Sequence, residues 1–209
     1  MAGTEIFSPG HAPTSASLRP TAQLSPSDKR ALLGQLLRRK ASEVQRFHPL
    51  SDNQQGIWFL CQLAPESSIY NVSFAGRIRS GVDIAAVQRA FQALVDRHPS
   101  LRTTIAVHAG KPVQHIHQQQ AVHFEQTDAS TWDGDQLQTR LTDETQRSFD
   151  LERGPAMRVS LYTRSADDHI LLLVIHHIFV DFWSLAVILN EFGILYAARS
   201  EERRVGKEC

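Results

Sequence analysis

Two adjacent histidines and an aspartate, His176, His177 and Asp181, form the densest group of chemically capable side chains in the sequence. They lie in IHHIFVDFWS, residues 175–184, where one apolar run ends and another begins. An imidazole titrates near neutrality, at about pH 6.5, so it can accept and return a proton under ordinary conditions. Neighbouring strand residues point to opposite faces, so only one of the two rings can enter a given cleft. Asp181 stands where it can cap a helix or hold the loop beneath the histidines by an ion pair. Taken alone, the pair reads more simply as core-edge histidines with Asp181 as a plain N-cap.

Other candidates are weaker. His115, His117 and His123 alternate on strand-like segments, but no carboxylate or cysteine spacing completes a metal set, so they read as solvent-facing strand residues. There is no glycine-rich phosphate loop and no Gly-x-Ser-x-Gly elbow. The charges from Asp135 to Asp150 read as a solvated helix face. Cys61 and Cys209 make neither a disulfide framework nor a metal site.

The elements that must position the histidines follow from periodicity. His169 to His176 is nearly all apolar, which predicts a central strand covered on both faces. Asp181 to Ala198 predicts a helix, and its apolar residues, from Trp183 to Tyr196, run almost all the way round it. Upstream, helices are predicted over about 53–63, 82–97 and 133–148. Strands are predicted over about 69–79, 101–107, 112–117, 121–127 and 157–161, with a hairpin turn at Gly110-Lys111. This order predicts an α/β or α+β fold with a mixed sheet.

Residues 1–24, rich in Pro, Ser, Thr, Ala and Gly, read as a disordered tail. Ser25 as N-cap, Pro26 and Asp28 open a linker helix over 25–46, with Leu32, Leu33, Leu36 and Leu37 on one face. Its Lys29, Arg30, Arg38, Arg39 and Lys40 admit a second reading, a docking helix for an acidic partner. Residues 47–198 form the folded part. The stretch 199–209, RSEERRVGKEC, shifts abruptly in composition and reads as a non-native or unstructured tail, with the domain truncated before it.

The 209 residues carry 22 Lys+Arg against 22 Asp+Glu, a zero balance without the basic footprint of a general nucleic-acid binder. No apolar run approaches the roughly 20 residues of a membrane-spanning helix, and no secretory leader is visible. A soluble, reduced, cytoplasmic protein is expected, with no nucleic-acid or membrane partner.

Four segments, in order, change the reading of the histidines. IHHIFVDFWS resembles the His-His-x-x-x-Asp-Gly motif of nonribosomal peptide synthetase condensation domains. SDNQQGIWFL, residues 51–60, is similar to the family's first motif at Ser51, Gln54, Trp58 and Leu60. RHPSLRTTI, residues 97–105, is similar to its second at Arg97, His98, Leu101, Arg102 and Thr103. FDLERGPAMRVSLY, residues 149–162, resembles the strand before the active site.

The resemblance implies a chloramphenicol acetyltransferase-like fold of two α/β halves around a tunnel, of which this chain matches the N-terminal half. The missing C-terminal lobe would cover the last helix. It implies amide-forming transfer of an acyl or peptidyl group from a phosphopantetheine thioester on one carrier protein to an aminoacyl amine on another. No cofactor is bound directly; the phosphopantetheine belongs to the partner acyl or peptidyl carrier proteins. Of the catalytic motif, His177 would enter the tunnel as base or orienter, and His176 would face the core. Asp181 would be structural, paired to Arg97 or Arg102. Phe182, Trp183 and Ser184 would line the substrate path. Phe182 replaces the family's usual Gly, and either narrows that path or turns into the core. Alternatives are a stand-alone ester-forming acyltransferase using a coenzyme A or carrier thioester, and a non-catalytic carrier-docking module.

Overall fold

The computed structural model describes residues 25–44 and 47–205. The expected tail over 1–24 lies outside the described residues, as do 206–209. Contacts divide the chain into two units after Val44. In the first, helix α1 spans Pro26–Val44. Its start is as the sequence indicates: Ser25 Oγ accepts from the Asp28 N–H at 3.2 Å and donates to the Asp28 carboxylate at 2.7 Å. Arg38, Arg39 and Lys40 of the expected basic face lie outside the described side chains.

In the second unit the order is β1 (Phe47–Pro49), α2 (Asp52–Leu63), β2 (Asn71–Ile78), α3 (Ile84–Arg97), β3 (Thr103–His108), β4 (Lys111–Ile116), β5 (His123–Asp128), α4 (Gly134–Gln146), β6 (Met157–Ser165), β7 (Asp168–His176) and α5 (Phe182–Val205). A three-stranded antiparallel sheet has the order β1-β4-β3, and a four-stranded sheet the order β2-β7-β6-β5. In the larger sheet β5 and β6 run parallel while the other pairs are antiparallel. Parallel neighbours need a crossover, which α4 supplies. The expected mixed α/β architecture is what forms.

The central position of β7 explains its composition. Leu171, Leu173 and Ile175 pack with Phe91 and Leu94 of α3 and with Leu185 and Ile188 of α5. Ile170, Leu172 and Val174 point the other way, to Tyr162 and to Leu137 and Leu141 of α4. A strand buried on both faces cannot alternate polar with apolar residues, so its sequence is continuously apolar. Helix α3 is capped by Asp83, whose carboxylate accepts from the Ala86 N–H at 3.1 Å. It stops at Arg97, since the residue before Pro99 disfavours helical backbone.

Three details differ from the sequence reading. The β3–β4 turn is made by Ala109-Gly110, both at positive φ (50° and 75°), so it lies one residue before the predicted pair. Two-residue hairpins favour that mirror-image backbone, and Gly110 adopts it without steric cost. Strand β1 has no signal in the sequence, because three residues carry no periodicity. Helix α5 runs to Val205, past the expected end at Ala198, so residues 199–205, read as part of a tail, have a helical backbone.

Candidate active site at the end of the central strand

Strand β7 delivers both histidines, and the turn after it fixes them in different ways. The His177 N–H donates to the Tyr70 carbonyl at 2.8 Å, and the Phe179 N–H to the His176 carbonyl at 3.0 Å, closing a tight turn. His176 is 3% exposed. Its Nδ1 accepts from the Ile178 N–H at 3.2 Å, so its proton resides on Nε2, which faces Cys61 Sγ at 3.7 Å. The edge of Phe149 lies against the ring, with centroids 5.8 Å apart. Burial, and then the charges of His177 and Arg158, push its pKa down to about 4. This ring is neutral at ordinary pH and faces the core.

His177 is exposed. Its Nδ1 lies 2.8 Å from the Val180 carbonyl, which can only accept, so Nδ1 carries the proton. Nε2 is left with its lone pair free on the accessible side. Such a nitrogen can accept a hydrogen bond or a proton from an approaching amine. The two rings do lie on opposite faces; the opposite-face argument leaves open which one points outward, and the structure places His177 outward and His176 inward.

The expected ion pair does not form. Asp181 is exposed and caps α5: one carboxylate oxygen accepts from the Ser184 N–H at 2.7 Å and from the Ser184 hydroxyl at 2.6 Å. These two bonds, more than the nearby His177, hold its carboxyl below the usual range. Arg97 instead lies 3.8 Å from Glu191 of α5, which His98 approaches more closely, at 2.7 Å. Arg102 donates to the His117 carbonyl. Both arginines are therefore held by groups other than Asp181, and a short capping side chain turned toward its own helix cannot reach them.

Phe182 and Trp183 are 81% and 78% exposed, which rules out the reading of Phe182 as a core residue. Ser184 is spent on Asp181. His115 and His117 are half-buried rather than solvent-facing: their rings are 4.3 Å apart, and His115 stacks on Phe47. Among the described residues no group of three or more His, Cys, Asp and Glu side chains is placed to hold a metal ion. No described helix is long and apolar enough to cross a membrane.

Two supports of the site carry little sequence signal. Arg158 of β6 is buried and donates to the carbonyls of Glu144, Arg147 and Ser148 at the end of α4 (2.7–3.2 Å), while its guanidinium covers the Phe149 ring at 3.8 Å. Asn71, opposite His176 in the β2–β7 register, donates to the carbonyls of Thr145 and Arg147. The end of α4 is thus tied to the two strands that flank His176. A cavity of about 290 Å³ opens on that side, between Cys61, Phe149 and His176. Burial raises the Cys61 thiol pKa, and a neutral His176 does nothing to ionise it.

The chain belongs to the condensation domain family, which it matches over residues 44–207. It is 40% identical over 159 residues to the chondramide synthase cmdD of Chondromyces crocatus, covering 74% of this chain and 4% of that protein. It is 39% identical over 159 residues to the enniatin synthase of Fusarium equiseti, covering 75% of this chain and 5% of that protein. This chain therefore spans only a small part of the curated relatives it matches. The starter condensation domain of rhizomide synthetase RzmA shares its fold, with a TM-score of 0.69 and 23% identity over 74% of this chain and 38% of that one. The same holds for a four-domain nonribosomal peptide synthetase bound to AMP and glycine, with a TM-score of 0.67 and 24% identity, covering 72% of this chain and 12% of that one.

Proposed function

We propose that this chain contributes the histidine-bearing lobe of a condensation site in nonribosomal or hybrid polyketide–peptide synthesis. The reaction joins an acyl or peptidyl group, held as a phosphopantetheine thioester on a donor carrier, to the amine of an aminoacyl group on an acceptor carrier. The observation that carries the reading is His177: an exposed imidazole with a bare Nε2 at the end of a doubly buried strand. That nitrogen meets the attacking amine. A C–N bond forms as the thioester C–S bond breaks, the amine's surplus proton passes to Nε2, and the leaving thiolate is protonated in turn. A thioester is already activated, so orientation of the amine supplies a large part of the acceleration. The exposed Phe182 and Trp183 would line the apolar side of the substrate path, and a second lobe would supply its opposite wall.

The test is substitution of His177 in the full-length polypeptide, assayed with loaded carriers. His177→Asn retains an amide N–H for the Val180 carbonyl but places nothing where Nε2 stood. It should fold as before and lose condensation. Full amide formation by His177→Asn and by His177→Ala would overturn the assignment.

A further inference from the structure

Gln54 is distant from His177 in sequence, yet it holds the turn that orients the ring. At the start of α2, Ser51 and Gln54 form a capping box: Ser51 Oγ accepts from the Gln54 N–H at 3.3 Å, and Gln54 Oε1 accepts from the Ser51 N–H at 3.0 Å. That reciprocal pair uses only the oxygen of the Gln54 amide, and a Glu would serve it equally well. The amide nitrogen is free of the cap and donates to the Ile178 carbonyl at 3.0 Å.

The Ile178 carbonyl and the Phe179 N–H belong to one peptide plane. Its oxygen is held by Gln54, and its N–H is held by the His176 carbonyl. This peptide lies between His177 and Val180, and the Val180 carbonyl receives the His177 Nδ1 proton. Were the plane free to rotate, Val180 O would move and the imidazole would lose the bond that sets its tautomer. The Ile178 side chain adds a second constraint, packing with Leu50, Ile57 and Trp58.

We infer that Gln54 is a positioning residue for His177, acting through the 178–179 peptide, and that its amide nitrogen rather than its capping oxygen does this. The inference rests on the reading of His177 as the group that meets the amine. A purely structural role in capping α2 makes a different forecast, and two substitutions separate them. Gln54→Glu keeps the acceptor for the Ser51 N–H and removes the donor to Ile178. Ser51→Ala removes the cap's hydroxyl and leaves that donor in place.

The experiment uses the full-length polypeptide and the carrier pair that the unaltered protein condenses, with kcat, KM, melting temperature and pH profile recorded for each variant. Gln54→Glu should lose a few degrees of melting temperature, the cost of one part-buried hydrogen bond, and about 10- to 100-fold in kcat at neutral pH, the scale expected of a misplaced catalytic group. KM for the acceptor carrier should hardly change. Its deficit should shrink below about pH 5, as the carboxyl, with an ordinary pKa of about 4.3, gains a proton it can donate to Ile178 O. Ser51→Ala should melt lower and keep kcat within about twofold, since cap losses fall on stability. Should Gln54→Glu prove insoluble, Gln54→Met with Ser51 still in place must show the same kcat loss. Unchanged kcat in Gln54→Glu, a deficit independent of pH, or an equal kcat loss in Ser51→Ala would each overturn the inference. His177→Ala in the same assay separates the two claims: if it is inactive while Gln54→Glu is normal, only the role of Gln54 fails. If His177→Ala turns over, the reading of the site fails first.

Discussion

His176 and His177 are fixed as opposite tautomers. The Ile178 N–H donates to Nδ1 of His176, which puts the proton of that ring on Nε2; His177 donates from Nδ1 to Val180 O, which leaves its Nε2 bare. Both bonds come from the same five residues, 176–180, so one short segment sets the protonation pattern of two adjacent rings. The inner ring can serve as a fixed wall and the outer one as a proton acceptor. Exchange of the two tautomers would need the turn to open.

The inner ring should make stability depend on pH. Burial holds the His176 pKa at about 4, against an ordinary 6.5. Its contribution is therefore fully present above about pH 6.5. Below that the unfolded chain binds a proton that the native ring refuses, and stability falls until about pH 4. The loss is on the order of 3 kcal/mol from this ring. His117, whose pKa is lowered by burial and by His115, works in the same direction. Urea unfolding at pH 7 and at pH 4.5 measures the effect. His176→Gln should be less stable at pH 7 and should flatten the difference between the two pH values. An unchanged difference would mean that the ring is not what acid attacks.

Asp181 should behave as a helix cap. Asp181→Ala removes the acceptor for the Ser184 N–H and hydroxyl, and no buried cation is left unpaired by it. We expect soluble protein with a melting temperature about 2–4 °C lower, and Asp181→Asn close to unaltered protein. Insolubility or a far larger drop on Asp181→Ala would show that the carboxylate is paired with a buried cation after all.

These contrasts mark what the sequence makes legible. The apolar run of β7, the opposed faces of the histidine pair and the caps at Ser25 and Asp181 are local features, written in consecutive residues. The partner of Asp181 is a long-range matter. It depends on how α5 lies against α3, which brings Glu191 rather than Asp181 to His98 and Arg97. Gln54 is visible as a motif residue, but nothing local says that its amide reaches Ile178, 124 positions away. Arg158 does leave a trace, a charged residue between Met157 and Val159 at the buried start of the strand. The three carbonyls it serves cannot be read from that trace.

Arg158 should be among the residues least tolerant of change. Its guanidinium satisfies three carbonyls at the end of α4 and covers Phe149, which in turn backs His176. Burial and Arg147 lower its pKa only to about 10, so it stays charged at neutral pH. Arg158→Met fills much of the volume but abandons those acceptors, at a cost of about 3 kcal/mol or more. Arg158→Lys should recover little, because an ammonium cannot reproduce the planar fork. Chemical denaturation of both variants measures this. A loss for Arg158→Met below about 1 kcal/mol, the net value of a single ordinary hydrogen bond, would show that the carbonyls find water instead.

The outer face of α5 supplies the last expectation, for residues 1–209 as a free polypeptide. Leu185 and Ile188 are buried under the helix, but Phe182, Trp183, Val187 and Ile194 are exposed, Ile194 at 63%. Trp183, Val187 and Ile194 recur at helical spacing and form one stripe about three turns long. Phe59 and Leu63 of α2 are exposed as well. Soluble monomers seldom leave contiguous apolar patches larger than a few hundred Å² in water. The free polypeptide should therefore self-associate in a concentration-dependent way, seen by size-exclusion chromatography with light scattering. Trp183→Gln with Ile194→Gln should shift it toward monomer without lowering the melting temperature, because neither side chain supports the core. A concentration-independent monomer of the unaltered polypeptide would show that the stripe is covered from within the chain.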